Sequence, residues 1–201
     1  MPKIVDHEER RRRLVEAVWA LAVRGGTEQV TLRKVAEEAG VSMGQVQHYY
    51  SSMQALIADA LTRAVQAVNA RIEQAVASAG DTAPEALLRT CLLALVSPDE
   101  ESTRLMRFSL AVAGRAVSDP TMARVLAPTD DELLTFTAGL ISGARLARGD
   151  RPSGTEATDA DICWSLATSL GMDVALGYRE PEVARKVLGH YVDQLLDARH
   201  G

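Results

Sequence analysis

The sequence predicts an all-α protein of about nine to ten helices, and three observations predict it. Aromatic residues make up only 4% of 201, and no segment alternates apolar and polar residues with the period of a strand. Apolar residues recur instead at helical spacing: Leu14, Val18, Leu21 and Ala22; then Ile57, Leu61, Ala64, Val68, Ile72 and Val76; then Ala184, Val187, Leu188, Tyr191 and Leu195. Helix-start chemistry punctuates these runs. Ser42-x-x-Gln45, Ser51-x-x-Gln54, Thr82-x-x-Glu85, Ser97-x-x-Glu100 and Thr129-x-x-Glu132 all have the pattern of a capping box.

These signals place helices at roughly 6–24, 32–39, 43–49, 52–78, 84–96, 99–117, 120–126, 130–148, 156–178 and 181–198. Pro98, Pro120 and Pro181 fall at helix starts, where the missing N–H removes no helix bond. Gly149–Thr155 reads as a loop by composition.

Composition bounds the class. Hydrophobic residues are 47% and charged residues 24%, ordinary for a soluble domain able to bury a core without staples. No run of 18 apolar residues exists, so no membrane partner is expected. The start, Met1-Pro2-Lys3 leading to Arg10–Arg13, lacks the apolar run of an export signal, and a cytoplasmic location is expected. Cys91 and Cys163 have no metal-type spacing and read as small core residues. His7, His48, His190 and His200 form no ligand pattern, and H-E-x-x-H, G-x-S-x-G, the P-loop and G-x-G-x-x-G are all missing. No enzyme, metal or cofactor is expected.

Net charge is −5, unevenly spread. Residues 1–50 carry eight Lys/Arg and seven Asp/Glu, whereas residues 51–201 carry 14 and 20. A mildly basic head on an acidic body is compatible with DNA.

The informative segment is Thr31–Leu56, TLRKVAEEAGVSMGQVQHYYSSMQAL. Thr31 caps a short helix that Gly40 ends, Val41 packs inward, and Ser42 caps the next helix. Two helices joined by so tight a turn form a helix-turn-helix. On the second helix Val46 and Tyr50 share one face and should be buried. Gly44 and His48 lie opposite, flanked by Gln45, with Gln47 and Tyr49 at the borders. That outward face is neutral and polar, suited to base edges in the major groove, while the helix N-terminus suits a phosphate. The alternative reading of the segment is a helical hairpin with no DNA role. Trp19 is expected to pack between the first and fourth helices.

These residues resemble the tetracycline-repressor (TetR) family, whose motif looks like T-[LIV]-R-x-[VI]-A-x-x-A-G-V-S-x-G-x-[LV]-Y-x-[HY]-F-x-x-K-x-x-L. Thr31, Arg33, Val35, Ala36, Ala39, Gly40, Val41, Ser42, Gly44, Val46, Tyr50 and Leu56 fit. Three positions depart: Gln47 stands for the usual Tyr, Tyr50 for Phe and Met53 for Lys. The resemblance implies that the usual Tyr and Lys touch phosphates, so their loss bears on affinity. It implies a DNA-binding head at 1–52 and a ligand-binding and dimerisation domain at 53–201. It implies DNA contacts from Thr31, Arg33, Lys34, Ser42, Met43, Gly44, Gln45, Gln47, His48 and Tyr49.

It also implies a cavity between the middle helices for a small, largely apolar effector. The candidates to line it are Leu88, Leu92, Met106, Phe108, Met122, Phe136, Trp164, Thr168 and Met172, although Met and aromatic residues at helical spacing are usually core. Asp173 and Arg115 are either polar anchors there or surface ions. For a homodimer, the small residues Ala167, Gly171 and Ala175 with Val187, Tyr191 and Leu195 suggest a four-helix interface, against ordinary packing within the chain. The expected function is a ligand-responsive repressor on a palindromic operator in double-stranded DNA. The alternative is a DNA-binding regulator without a small ligand, or one switched by a protein partner.

Overall fold

A computed structural model describes residues 7–96, 99–125 and 131–197. Its helices are α1 (His7–Gly25), α2 (Leu32–Glu38), α3 (Met43–Tyr49), α4 (Met53–Ala77), α5 (Pro84–Ala94), α6 (Glu100–Ala116), α7 (Pro120–Val125), α8 (Asp131–Ala147), α9 (Glu156–Ala175) and α10 (Pro181–Asp197). A 3-10 turn at Thr27–Gln29 links α1 to α2, and no strand occurs among the described residues. The all-α expectation holds, element by element.

Local chemistry sets the boundaries. Thr31 accepts from the Lys34 N–H at 3.3 Å and starts α2. Gly40 ends that helix at φ +65°, where a side chain would be strained. Ser42 starts α3 with a complete capping box: its hydroxyl accepts from the Gln45 N–H at 3.2 Å, and its own N–H donates to Gln45 Oε1 at 3.0 Å.

Other expected caps differ. At α4 the cap is Ser52, not Ser51, and its hydroxyl accepts from the Ala55 N–H at 3.1 Å. At α5 the N-cap is Ala83, with no side-chain cap bond and Pro84 opening the helix; Asp81 accepts from the Ala83 N–H at 2.8 Å in the turn before it. At α6 Asp99 accepts from the Ser102 N–H at 2.9 Å. Ser97 and Pro98, and Thr129, lie outside the described residues.

The chain groups into two compact units. One is drawn from residues 1–66 and 104–127, the other from 67–103 and 128–201. This grouping divides α4 and α6 internally.

In the first unit the core gathers Leu14, Val18, Val35, Val46, Leu56, Ile57, Leu105, Phe108 and Met122, all 2% exposed or less. Trp19 belongs to it: its indole N–H donates to the Ala60 carbonyl at 3.1 Å, and its ring lies 6.4 Å from that of Phe108. Arg104 on α6 stacks over the Trp19 ring and donates to Glu16 at 2.7 Å, tying α6 to α1.

In the second unit Leu88, Cys91, Leu92, Ile141, Ala160, Cys163, Ala167, Leu188 and Val192 form one buried cluster. Both cysteines are fully buried, and burial pushes both thiols up, Cys163 to about 11. They are unreactive packing residues. Arg89 fastens α5 to α10 through Asp193 and the Gly189 carbonyl, and Arg148 binds Glu85 at 2.8 Å and Asp197 at 2.5 Å.

Candidate nucleic-acid interface

The head is built so that α3 cannot turn. Val46 is fully buried, and Tyr50 at its C-terminal end is 6% exposed. Burying a valine of this kind contributes about 1.5–3 kcal/mol. Tyr50 replaces an apolar ring, so its hydroxyl needs an acceptor, and Asp59 on α4 supplies it. Burial and the Asp59 bond both push the phenol far up, which keeps it a donor. The departure from the family's Phe at this position thus adds a bond between α3 and α4.

With that face fixed, Met43, Gly44, Gln47 and His48 are exposed, as are Ser42 and Thr31. Gly44 is informative. A Cβ there would meet nothing nearer than Ser42 Oγ at 4.0 Å, and its φ is not positive. Packing does not require glycine, yet glycine within a helix costs about 1 kcal/mol relative to alanine.

Other expected contacts have partners already. The Gln45 carbonyl oxygen is held by the Ser42 N–H, so only its amide N–H groups remain to read a base. Lys34 donates to Gln29, and Arg24 pairs with Glu38. Arg33 is exposed and has no ion-pair partner among the described residues. Tyr49 is half-buried, its hydroxyl 2.9 Å from His7 Nδ1. Met53 opens α4 and is half-buried.

The nine candidates for an effector pocket are divided between the two units. Met106, Phe108 and Met122 belong to the first unit; Leu88, Leu92, Phe136, Trp164, Thr168 and Met172 to the second. Leu88, Leu92, Phe108 and Met122 have no accessible surface. Trp164 is half-buried, donating its indole N–H to Thr137 Oγ1 at 2.8 Å. Thr168, Met106 and Met172 are half-buried. Phe136 lines an open cleft of about 280 Å³ between α4 and α8 with Ile72, Val76, Leu133, Glu73 and Glu132. Asp173 pairs with Arg179 at 3.0 Å and Arg115 with Asp119 at 3.7 Å, so both are local ion pairs.

The dimer candidates divide as well. Ala167, Gly171, Ala175 and Leu195 are buried within the chain, since the small residues of α9 admit α8 and α10 closely. Val187 is 39% exposed and Tyr191 half-buried. Ile162 and Val183, which periodicity did not single out, are more exposed still, at 45% and 46%.

No helix among the described residues is long and apolar enough to cross a membrane. No group of three potential metal ligands occurs among them.

A two-helix element, clamped at its base and presenting a neutral polar face, defines a helix-turn-helix DNA-binding regulator of transcription. The chain belongs to the TetR family. Residues 14–60 match the bacterial regulatory proteins of the tetR family, and residues 84–197, more than half the chain, match the BetI-type transcriptional repressor, C-terminal. The HTH-type transcriptional regulator PksA of Bacillus subtilis is 34% identical over 116 residues, 58% of this chain and 56% of that protein. The regulator BetI of Burkholderia mallei is 26% identical over 200 residues, 99% of this chain and 100% of that protein. A transcriptional regulator from Saccharomonospora viridis, crystallised in complex with choline, shares the fold: TM-score 0.71 at 22% identity, covering 93% of this chain and 97% of that one. The protein is therefore a DNA-binding regulator and not an enzyme.

Proposed function

We propose that the protein is a repressor that binds a palindromic operator as a homodimer and leaves it when a small molecule binds. The observation that carries the DNA half is the exposed face of α3, with Gly44 kept where packing does not ask for it. A strand of DNA can approach the backbone there, while Gln47 and His48 read base edges. Residues 1–52 are then the reading domain and 53–201 the ligand and dimer domain.

A seven-residue helix is about 10 Å long and covers few base pairs. Two heads related by a two-fold axis double the site and make it palindromic. Val183 and Val187, with Tyr191 one turn further, lie along one side of α10, and with Ile162 on α9 they supply an apolar surface for the second copy.

The cleft beside Phe136 is the proposed effector site. At about 280 Å³ it suits a small molecule with an apolar body, and any charge that molecule carries is positive, because Glu73 and Glu132 border it. The choline complex of the Saccharomonospora viridis regulator supports a small-molecule effector on this fold. An effector that binds one conformation better than the DNA-bound one shifts the population off the operator.

The second reading, control by a protein partner, is favoured by the packing of Leu88, Leu92, Phe108 and Met122. A side chain with no accessible surface has no room beside it for a water, still less for an effector.

The test is ultracentrifugation on a selected operator, followed by a screen for compounds that raise the melting temperature. Two chains per inverted repeat, and a stabilising compound that also releases DNA, are expected. A monomer on a non-repeated site would contradict the dimer. A fully stabilised protein still bound to its operator would favour the second reading.

A further inference from the structure

The head holds a feature that base reading by α3 leaves unused. A groove of about 430 Å³ opens between the start of α1 and the side of α3, bordered by His7, Arg10, Ser42, Gly44, His48 and Tyr49. None of the described residues lining it is acidic. That is not evident from the sequence HEERRRR, where Glu8 and Glu9 adjoin Arg10.

The fold draws both carboxylates away. Glu9 binds Arg12 at 2.8 Å and Arg13 at 3.1 Å. Glu8 binds Arg63 on α4 at 2.5 Å, and Arg63 also holds Asp59 at 3.2 Å. Both carboxylates are thereby tied to arginines away from the groove; the Glu9 cluster keeps one positive charge in excess and the Arg63 cluster one negative. Arg10 is left without a partner among the described residues, at the wall of the groove.

Opposite it, Tyr49 is fixed. Its hydroxyl lies 2.9 Å from His7 Nδ1, and His48 stands edge-on to its ring at 5.3 Å. The His7–Tyr49 bond uses one proton. If the imidazole carries its proton on Nδ1, the phenol proton remains available. If the phenol donates, the proton on Nε2 remains. In either tautomer the pair keeps one unspent donor. A guanidinium that faces neutral donors and, among the described residues, no carboxylate is suited to a singly charged oxyanion.

We propose that this groove seats a phosphodiester of the DNA backbone, with Arg10 supplying the charge and the His7–Tyr49 pair a hydrogen bond. The inference rests on the helix-turn-helix reading and extends the contact from α3 to α1. The backbone is the favoured source of the phosphate because Gly44 and His48 border the groove and also lie on the exposed face of α3. A strand read by that face passes over the groove. Contacts of this kind fix register and orientation and carry no base information.

Affinity for a selected operator, measured across a salt series, tests it, with base preference read from a random pool for each variant. Arg10→Gln makes the slope of log K against log salt shallower by about 0.9 per head, about 1.8 for a dimer. Tyr49→Phe and His7→Gln each break the bond that orients the remaining donor and weaken binding severalfold at every salt concentration, and the double variant is at least as weak as the worse single one. Arg12→Gln leaves the slope unchanged, since Arg12 is bound to Glu9 and does not line the groove. Base preference stays the same throughout.

An unchanged slope in Arg10→Gln would overturn the proposal, as would an altered base preference. Saturable displacement of DNA by inorganic phosphate at matched ionic strength would also overturn it, by making the groove a free-anion site. If these variants are silent while His48→Ala shifts base preference, the groove fails and the helix-turn-helix reading stands. If the wild-type chain selects no DNA, both fall.

Discussion

Arg145 lies in the last turn of α8, 2% exposed, and reaches across to the start of α9. It donates to Ser153 Oγ at 2.7 Å, to Glu156 at 2.9 Å and to Asp159 at 2.9 Å. Arg145→Met keeps the stem and deletes the charge, leaving two carboxylates whose side chains are only 13% and 14% exposed. Removing one side of a buried ion pair costs about 3–5 kcal/mol, a large part of a domain's total of about 5–15. Urea unfolding should show the unfolding free energy falling by that amount, through a lower midpoint with the slope unchanged, and the melting temperature should fall on the order of 10 °C. Arg145→Lys keeps a charge but cannot fork to two carboxylates, so its loss is intermediate. The acid limb gives a second readout. Burial alone would raise Glu156, but its own N–H, the Ser153 N–H and Arg145 outweigh burial and lower the carboxyl from 4.5 to about 2. A lowered native value contributes stability that is complete above the unfolded value and is lost as pH falls from about 4.5 to about 2. Without Arg145 that acid loss is shallower. A fall of less than about 1 kcal/mol on Arg145→Met, with the acid limb unchanged, would refute this account of the α8–α9 joint.

Three further outcomes are expected. Arg33→Ala, which removes an exposed cation with no ion-pair partner among the described residues, weakens binding to all sequences alike and flattens the salt slope by about 1 per contact; His48→Ala instead changes which bases are preferred in a selection experiment. Val187→Asp shifts the sedimentation coefficient toward that of a monomer at unchanged melting temperature, whereas Gly171→Leu lowers the melting temperature, because Gly171 is buried within its own chain. Met53→Lys restores a charge at the first position of α4 and steepens the salt slope by about 1.8 per dimer; an unchanged slope and an unchanged melting temperature would mean that position 53 faces away from the DNA.

The helices were legible because each carries its own periodicity, and the head because its rules are local. Thr31, Gly40 and Ser42 act on groups no more than four residues away, so their roles follow from spacing alone. Ser51 and Ser52 are adjacent equivalents, and only the chain's path decides which caps α4. Asp99 caps α6, with Ser97 also available by pattern. Gln45 was legible as a capping-box residue and as an outward one; the fold gives its oxygen to the cap. The second unit was harder to read. Leu88 and Leu92 have the same spacing whether they face a core or a pocket, and the small residues of α9 suit a partner helix as well as α8 and α10 of the same chain. Long-range pairing was invisible: nothing near Glu8 announces Arg63, 55 positions away, and without that bond the charge around Arg10 cannot be assigned.

The central claim is that α3 reads DNA in the major groove from two symmetric heads. Selection of bound DNA from a random pool by the purified wild-type protein tests it most directly. The account predicts an inverted repeat whose half-site centres lie one or more helical turns of about 10 base pairs apart, with the preferred bases of each half-site shifting on His48→Ala or Gln47→Ala. Recovery of a single unrepeated motif, or of an inverted repeat whose preferred bases survive both substitutions, would contradict it.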